Sequence, residues 1–183
     1  MKKRITVVGG GAWGTALAVQ AVRAGEDVEL ILRNPDLADR INNNGENDFY
    51  LPGISLPGAL RATTNYDGIR DSDAVLLVTP AQHLRETLTR FAAHWTDNLP
   101  AVICCKGIEK ETGALMAQVV NETLGNVPVA VLSGPTFAQE VAVGLPAAIT
   151  LACEDRVLGK RLVDLIGTPE FRPYFSTDVA GVE

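Results

Sequence analysis

Residues 5–25 read ITVVGGGAWGTALAVQAVRAG, and this stretch decides the fold. Ile5 to Val8 is a β-branched apolar run of the kind that sits in a strand buried on both faces. Gly9-Gly10-Gly11-Ala12-Trp13-Gly14 then fits G-x-G-x-x-G. Trp13 to Ala24 carries apolar side chains around most of a helical surface, and Gly25 stops it. Strand, glycine turn and buried helix, in that order, are the context that gives the motif its weight. The first glycine permits the sharp turn, the second lets backbone approach a pyrophosphate, and Gly14 lets helix and strand pack closely. Unpaired N–H groups at the helix start then face the anion. Without a ligand, the same residues would make only a glycine-rich turn.

Working outward, Val28 to Leu32 reads as a second buried strand, at the distance a right-handed crossover needs to return the chain parallel to its start. Pro35 to Ile41 predicts a short helix. Asn42 to Pro57, NNNGENDFYLPGISLP, has no clean period and predicts a long irregular segment. The alternation then resumes, with strands at Ala74–Val78, Ala101–Cys105, Val129–Leu132, Ala147–Ala152 and Phe171–Ser176. Helices are predicted between them at Gln82–Trp95, Leu115–Leu124, Phe137–Val143 and from about Asp155 to Ile166. Strands without polar alternation, separated by helices, predict a doubly wound, mostly parallel α/β sheet of the Rossmann-like, dinucleotide-binding type. No repeat or low-complexity tract divides the chain, so residues 1–183 are read as one domain.

The 183 residues are 46% hydrophobic and 21% charged, as expected of a chain with one sizeable core. Sixteen Lys and Arg against 22 Asp and Glu leave a net charge of −6, which excludes a general attraction to nucleic acid or an anionic membrane. The apolar run after the basic tip is too short for a signal peptide, and no stretch predicts membrane insertion, so the sequence reads as cytoplasmic. The three cysteines include the adjacent pair Cys104 and Cys105, a spacing of neither a disulfide framework nor a zinc site. They read as reduced core thiols within strands, and no metal site is expected.

The second strand ends at Arg33, where NAD-binding domains carry an acid for the ribose. A guanidinium suits a 2′-phosphate by charge and by its forked donors, which favours NADP while leaving NAD open. A solvated surface arginine is the competing reading. His83 follows a strand and Pro80, a location from which a side chain could face a nicotinamide, but with no partner identifiable it reads as the polar start of a helix, and His94 reads as a partner for helix-end carbonyls. Glu109, Glu111 and Glu140 show no pairing for acid/base work and read as surface or capping residues. Trp95 reads as an anchor at the sheet edge.

Three segments, Gly9 to Ala18, Cys105-Lys106-Gly107-Ile108-Glu109 and Leu132-Ser133-Gly134-Pro135-Thr136-Phe137-Ala138, together resemble bacterial NAD(P)-dependent glycerol-3-phosphate dehydrogenase, in its amino-terminal domain. Phe49-Tyr50-Leu51-Pro52 is similar to a family segment as well. The resemblance implies that Gly9, Gly11, Ala12, Trp13 and Gly14 contact the cofactor pyrophosphate, with Arg33 near the adenosine ribose and Ala138 also touching the cofactor. It places Lys106 beside both nicotinamide and substrate, as an auxiliary electrostatic catalyst, and Gly134 and Thr136 on the substrate side. An ammonium group can steady negative charge on a carbonyl or phosphate oxygen, and a Gly-Pro-Thr turn is expected to leave amides and a hydroxyl exposed. The implied substrates are sn-glycerol 3-phosphate and glycerone phosphate, interconverted by hydride transfer to supply phospholipid synthesis.

The family's general base is a lysine after the first domain, followed by a helical substrate domain, and both would lie beyond Glu183. The chain therefore reads as cut at a domain boundary and inactive alone, with an exposed apolar face that could pair it into a homodimer or drive aggregation. Two competing readings are a non-catalytic NADP(H)-sensing module and a two-domain hydroxy-acid dehydrogenase.

Overall fold

In the computed structural model, which describes residues 2–183, four of the five residues of β1 (Arg4–Val8) are buried. Ile5 and Val7 join the core on one face and Val8 joins the core on the other, the period of two that a doubly covered strand imposes. The chain continues through α1 (Ala12–Arg23), β2 (Asp27–Ile31), α2 (Pro35–Asn44), β3 (Arg61–Thr63), β4 (Ala74–Leu77) and α3 (Leu84–Phe91). It closes with β5 (Ala101–Ile103), α4 (Met116–Leu124), β6 (Val129–Ser133), α5 (Ala138–Val143), β7 (Ala147–Ala152), α6 (Arg156–Ile166), β8 (Phe171–Ser176) and α7 (Val179–Val182). The strands form one eight-stranded sheet in the order β3-β2-β1-β4-β5-β6-β7-β8. Pairing is parallel from β3 to β6, antiparallel between β6 and β7, and parallel again between β7 and β8.

Residues of α1, α2, α5 and α6 bury one sheet face, and residues of α3 and α4 bury the other. Strand order reverses at β1, whose Val8 stands level with Ile31 of β2 and Leu77 of β4. The crevice beyond these carboxyl ends is where open α/β sheets bind ligands.

Several expectations are corrected. The helix expected to end at Ile41 runs on to Asn44, because Gly45 (φ +65°) supplies the left-handed cap only there. The irregular segment loses its first residues accordingly. The helix expected over Gln82–Trp95 is α-helical only from Leu84 to Phe91, with 3₁₀ turns at Ala81–His83 and Ala92–His94. Cys104 and Cys105 lie just beyond β5 and Cys153 just beyond β7, so none is within a strand. All three are nevertheless buried free thiols, and burial raises each pKa, that of Cys105 to about 11. Trp95 is not at a sheet edge. It stacks on Phe91 at 5.9 Å and donates its Nε1–H to Leu99 O (3.0 Å), beside the entry to β5 in the middle of the sheet. His94 turns its ring toward Asp67 (3.5 Å) and Arg70 (3.2 Å), not toward helix carbonyls.

Candidate functional site

The turn after β1 is fixed by what its glycines leave out. Gly9 has φ +126°, and a Cβ there would lie 2.9 Å from the Val78 carbonyl carbon. At Gly10 it would meet Leu32 Cβ at 2.6 Å, and at Gly14 it would run into the Gly9 carbonyl oxygen. Gly11 differs, since nothing lies within 4 Å of its Cβ position. Three glycines thus serve close packing and the fourth faces open space. Gly11 caps α1 without a side chain, so the amides of Ala12, Trp13 and Gly14 open the helix with no intrahelical acceptor. These residues fit the pyrophosphate of a dinucleotide: bare amides, a helix start and room at Gly11.

The turn forms one wall of a cleft of about 390 Å³. Arg33, Tyr50, His83 and Arg90 line its far parts, and no carboxylate is among the described lining residues. In a chain of net charge −6, Arg33, which has no acidic partner among the described residues, makes this a local anion site, whereas Arg90 is already paired with Glu86. His83, expected to start a helix, occupies the capping position of α3 without a capping bond and is part of this wall.

Trp13, Val78 and Pro80 also line a second cavity of about 320 Å³, so the two spaces meet there. The second cavity holds Lys106, Ser133, Gly134, Thr136 and Ala138. Lys106 Nζ donates to Gly134 O (2.9 Å), which leaves two of the three ammonium protons available. Gly134 is glycine for packing, because a Cβ would lie 3.0 Å from Ile149 Cγ1 on β7. The Gly-Pro-Thr turn offers less than expected. Thr136 N–H is engaged by Gly134 O (3.0 Å), and the Thr136 hydroxyl is buried with no partner in the protein. A buried hydroxyl without a partner is costly, so this atom calls for a polar group in the cavity. Ala138, at the start of α5, borders the second cavity beside Trp13 and not the glycine cleft itself.

Glu109 is more than a surface residue. Arg85 grips its carboxylate with two N–H groups (2.9 and 2.8 Å), and this holds its pKa down to about 2. Glu111 and Glu140 are exposed.

Sequence reasoning missed Asn47. It is fully buried, donates to Gly10 O (3.0 Å) and Thr15 Oγ1 (2.7 Å), and accepts from Tyr50 N–H (3.2 Å). One amide thereby ties the segment carrying Phe49 and Tyr50 to the glycine turn. The only signal was a polar residue inside a segment too long to be a passive connection.

Residues 4–158 match the family described as NAD-dependent glycerol-3-phosphate dehydrogenase N-terminus. The chain belongs to this family. Among curated relatives of the glycerol-3-phosphate dehydrogenase family, the glycerol-3-phosphate dehydrogenase [NAD(P)+] of Paramagnetospirillum magneticum is 55% identical over 181 residues, covering 99% of this chain and 66% of that protein. The protein of the same name from Rhodospirillum rubrum is 52% identical over 98% of this chain and 52% of its own length. A crystal structure of glycerol-3-phosphate dehydrogenase from Coxiella burnetii superposes with a TM-score of 0.93 at 34% identity, covering 100% of this chain and 56% of that one. The chain thus spans about half to two thirds of the length of these relatives. The three segments that carried the resemblance to the glycerol-3-phosphate dehydrogenase family converge in space, since the glycine turn, Lys106 and the Gly134–Ala138 turn border two adjoining cavities.

Proposed function

We propose that this chain is the NAD(P)-binding part of an oxidoreductase that interconverts sn-glycerol 3-phosphate and glycerone phosphate. One observation carries the reading: a lysine with unengaged protons and a buried, unpartnered hydroxyl share a cavity that adjoins the glycine cleft. A nicotinamide cofactor, when bound, supplies or accepts the hydride. The chain's own residues bind and shield. The amides after Gly11 hold a pyrophosphate, while Arg33 pairs with a 2′-phosphate and so favours NADP over NAD. Trp13, Val78 and Pro80 form an apolar wall that excludes water where the cavities meet. Lys106 steadies charge on the substrate carbonyl oxygen, and Thr136 offers its hydroxyl to the substrate. The proton acceptor belongs, in this reading, to a part of the protein beyond residue 183, as the greater length of the relatives allows.

The relatives' names favour this reading over a cofactor sensor or a hydroxy-acid dehydrogenase. We place this enzyme in the cytoplasm; no helix among the described residues is long and apolar enough to cross a membrane.

Titration of the chain with NADPH and with NADH, followed by quenching of its tryptophans, tests the cofactor reading. Tighter NADPH binding is expected, and equal affinity would remove the role given to Arg33. No binding by folded protein would show that the glycine turn has been misread. In the full-length protein, Lys106→Ala should lower kcat by about 100-fold, the effect of removing one aimed donor. Unchanged kinetics would make Lys106 an ordinary solvated loop lysine.

A further inference from the structure

Lys106 sits on the connection from β5 to α4, residues 104–115, and nothing in its immediate backbone fixes it. Gly107 follows at φ +120°, a conformation that side-chain-bearing residues rarely adopt. Beyond it the connection folds on itself, with Glu109 N–H donating to Ala114 O (2.9 Å) and Gly113 N–H to Glu109 O (2.8 Å). This small loop is fastened from outside at two points. Gln82 donates to Ile108 O (2.7 Å) and accepts from Lys110 N–H (3.0 Å), so a single planar amide brackets the backbone on both sides of Glu109. Arg85 places its fork on the Glu109 carboxylate, which also accepts from the Thr112 hydroxyl (2.6 Å). A further bond from Arg85 to Glu122 (2.7 Å) ties the same guanidinium to α4.

Both fasteners come from one turn of chain, the 3₁₀ turn that leads into α3 and the first turn of α3 itself. Gln82 and Arg85 are three residues apart and point one way. His83 and Thr87, four residues apart, line the glycine cleft. The same segment therefore presents a wall to the proposed cofactor and two hooks to the Lys106 loop.

We propose that Gln82 and Arg85 are positioning residues for Lys106, holding its ammonium group over Gly134 from the segment that also walls the glycine cleft. The inference rests on the functional reading above. Without the hooks Lys106 keeps its charge but samples many positions about Gly107, so the loss falls on turnover and not on cofactor affinity.

The test uses the full-length protein with Gln82→Ala and Arg85→Ala, singly and combined. Gln82 is exposed and Arg85 half-exposed, so folding should survive. Glu109→Gln, which keeps shape but drops the charge, gives a second route. Four quantities are measured: kcat, KM for glycerone phosphate, Kd for NADPH, and amide hydrogen exchange over residues 104–115. The double variant should lose about tenfold or more in kcat, as misplaced groups do, with Kd for NADPH within about twofold of the parent. Exchange should quicken in residues 104–115 and nowhere else, and Arg85→Lys, a charge without a fork, should fall between parent and Arg85→Ala. Faster exchange with unchanged kcat and KM overturns the positioning role, as does exchange that does not change. A parent protein that binds no cofactor and turns over no glycerone phosphate sinks the functional reading itself, and the positioning role with it.

Discussion

The glycine turn after β1 and the Lys106 loop after β5 both leave the carboxyl ends of parallel strands in one sheet, yet they are held by opposite means. The first is held by missing side chains: at Gly9, Gly10 and Gly14 the backbone or a neighbouring side chain already occupies the place of a Cβ. The second is held by side chains that reach in, those of Gln82 and Arg85. A loop locked by close backbone packing has no tolerance, and its lock is written in the residues themselves. A loop locked by outside hooks can be loosened by degrees, and its lock is written elsewhere in the chain.

The sharpest way to break this comparison is Gly14→Ala. The added methyl collides with the Gly9 carbonyl oxygen, and overpacking against a backbone atom should cost about 3 kcal/mol or more, read as a lowered urea midpoint. An unchanged midpoint would mean that the turn is not packed as described. Asn47→Ala comes next. It removes the side-chain donor from Gly10 O and frees the segment at Tyr50, at a cost of about 1–3 kcal/mol and with weaker NADPH binding. If stability falls but affinity does not, the Asn47 tether is structural only. Gly11→Ala sharpens the contrast within the turn. Its methyl meets open space, so stability should stay within about 0.5 kcal/mol while NADPH affinity drops. A stability loss like that of Gly14→Ala would class Gly11 with the packing glycines.

The smallest effect concerns acid. The fork of Arg85 depresses the Glu109 pKa to about 2 from an ordinary 4.5. A depressed carboxylate contributes stability that is present above its unfolded pKa and lost as pH falls through the folded one. Exchange protection of residues 104–115 should therefore persist from neutral pH to about pH 4 and fade toward pH 2. Fading already near pH 4.5 would show that Arg85 does not grip Glu109 in solution.

The same contrast explains what was legible in the sequence. The glycine turn, the buried strands and the Arg33 position were legible because each depends on residues adjacent in the chain. Ala147–Ala152 fell at its observed bounds, since an apolar run ended by a helix cap leaves little latitude, and Phe171–Ser176 matched as well although Arg172 and Pro173 interrupt its apolar residues. The strand β3 was not legible: Arg61-Ala62-Thr63 is three residues with two polar ones, and it becomes a strand only because the edge of β2 is beside it. The reversal between β6 and β7 has no local signal either, as both strands read as apolar runs. At the site, residue types were legible and their partners were not. That Lys106 meets Gly134 O, that Thr136 buries its hydroxyl and that Asn47 reaches Gly10 are all contacts across long stretches of chain.

The acid-free lining of the glycine cleft has a consequence for how a ligand arrives. The chain carries six net negative charges, and Arg33, without an acidic partner among the described residues, makes a positive window in a net negative wall, while Arg90 is held by Glu86. An anionic molecule drifting past a net negative chain is favoured at this opening. Its phosphates are drawn toward the opening before any contact forms, over a range set by the screening length of about 8 Å at physiological salt. Orientation is then selected in solvent, and added salt, which widens the window by weakening the wall, also blurs the aim.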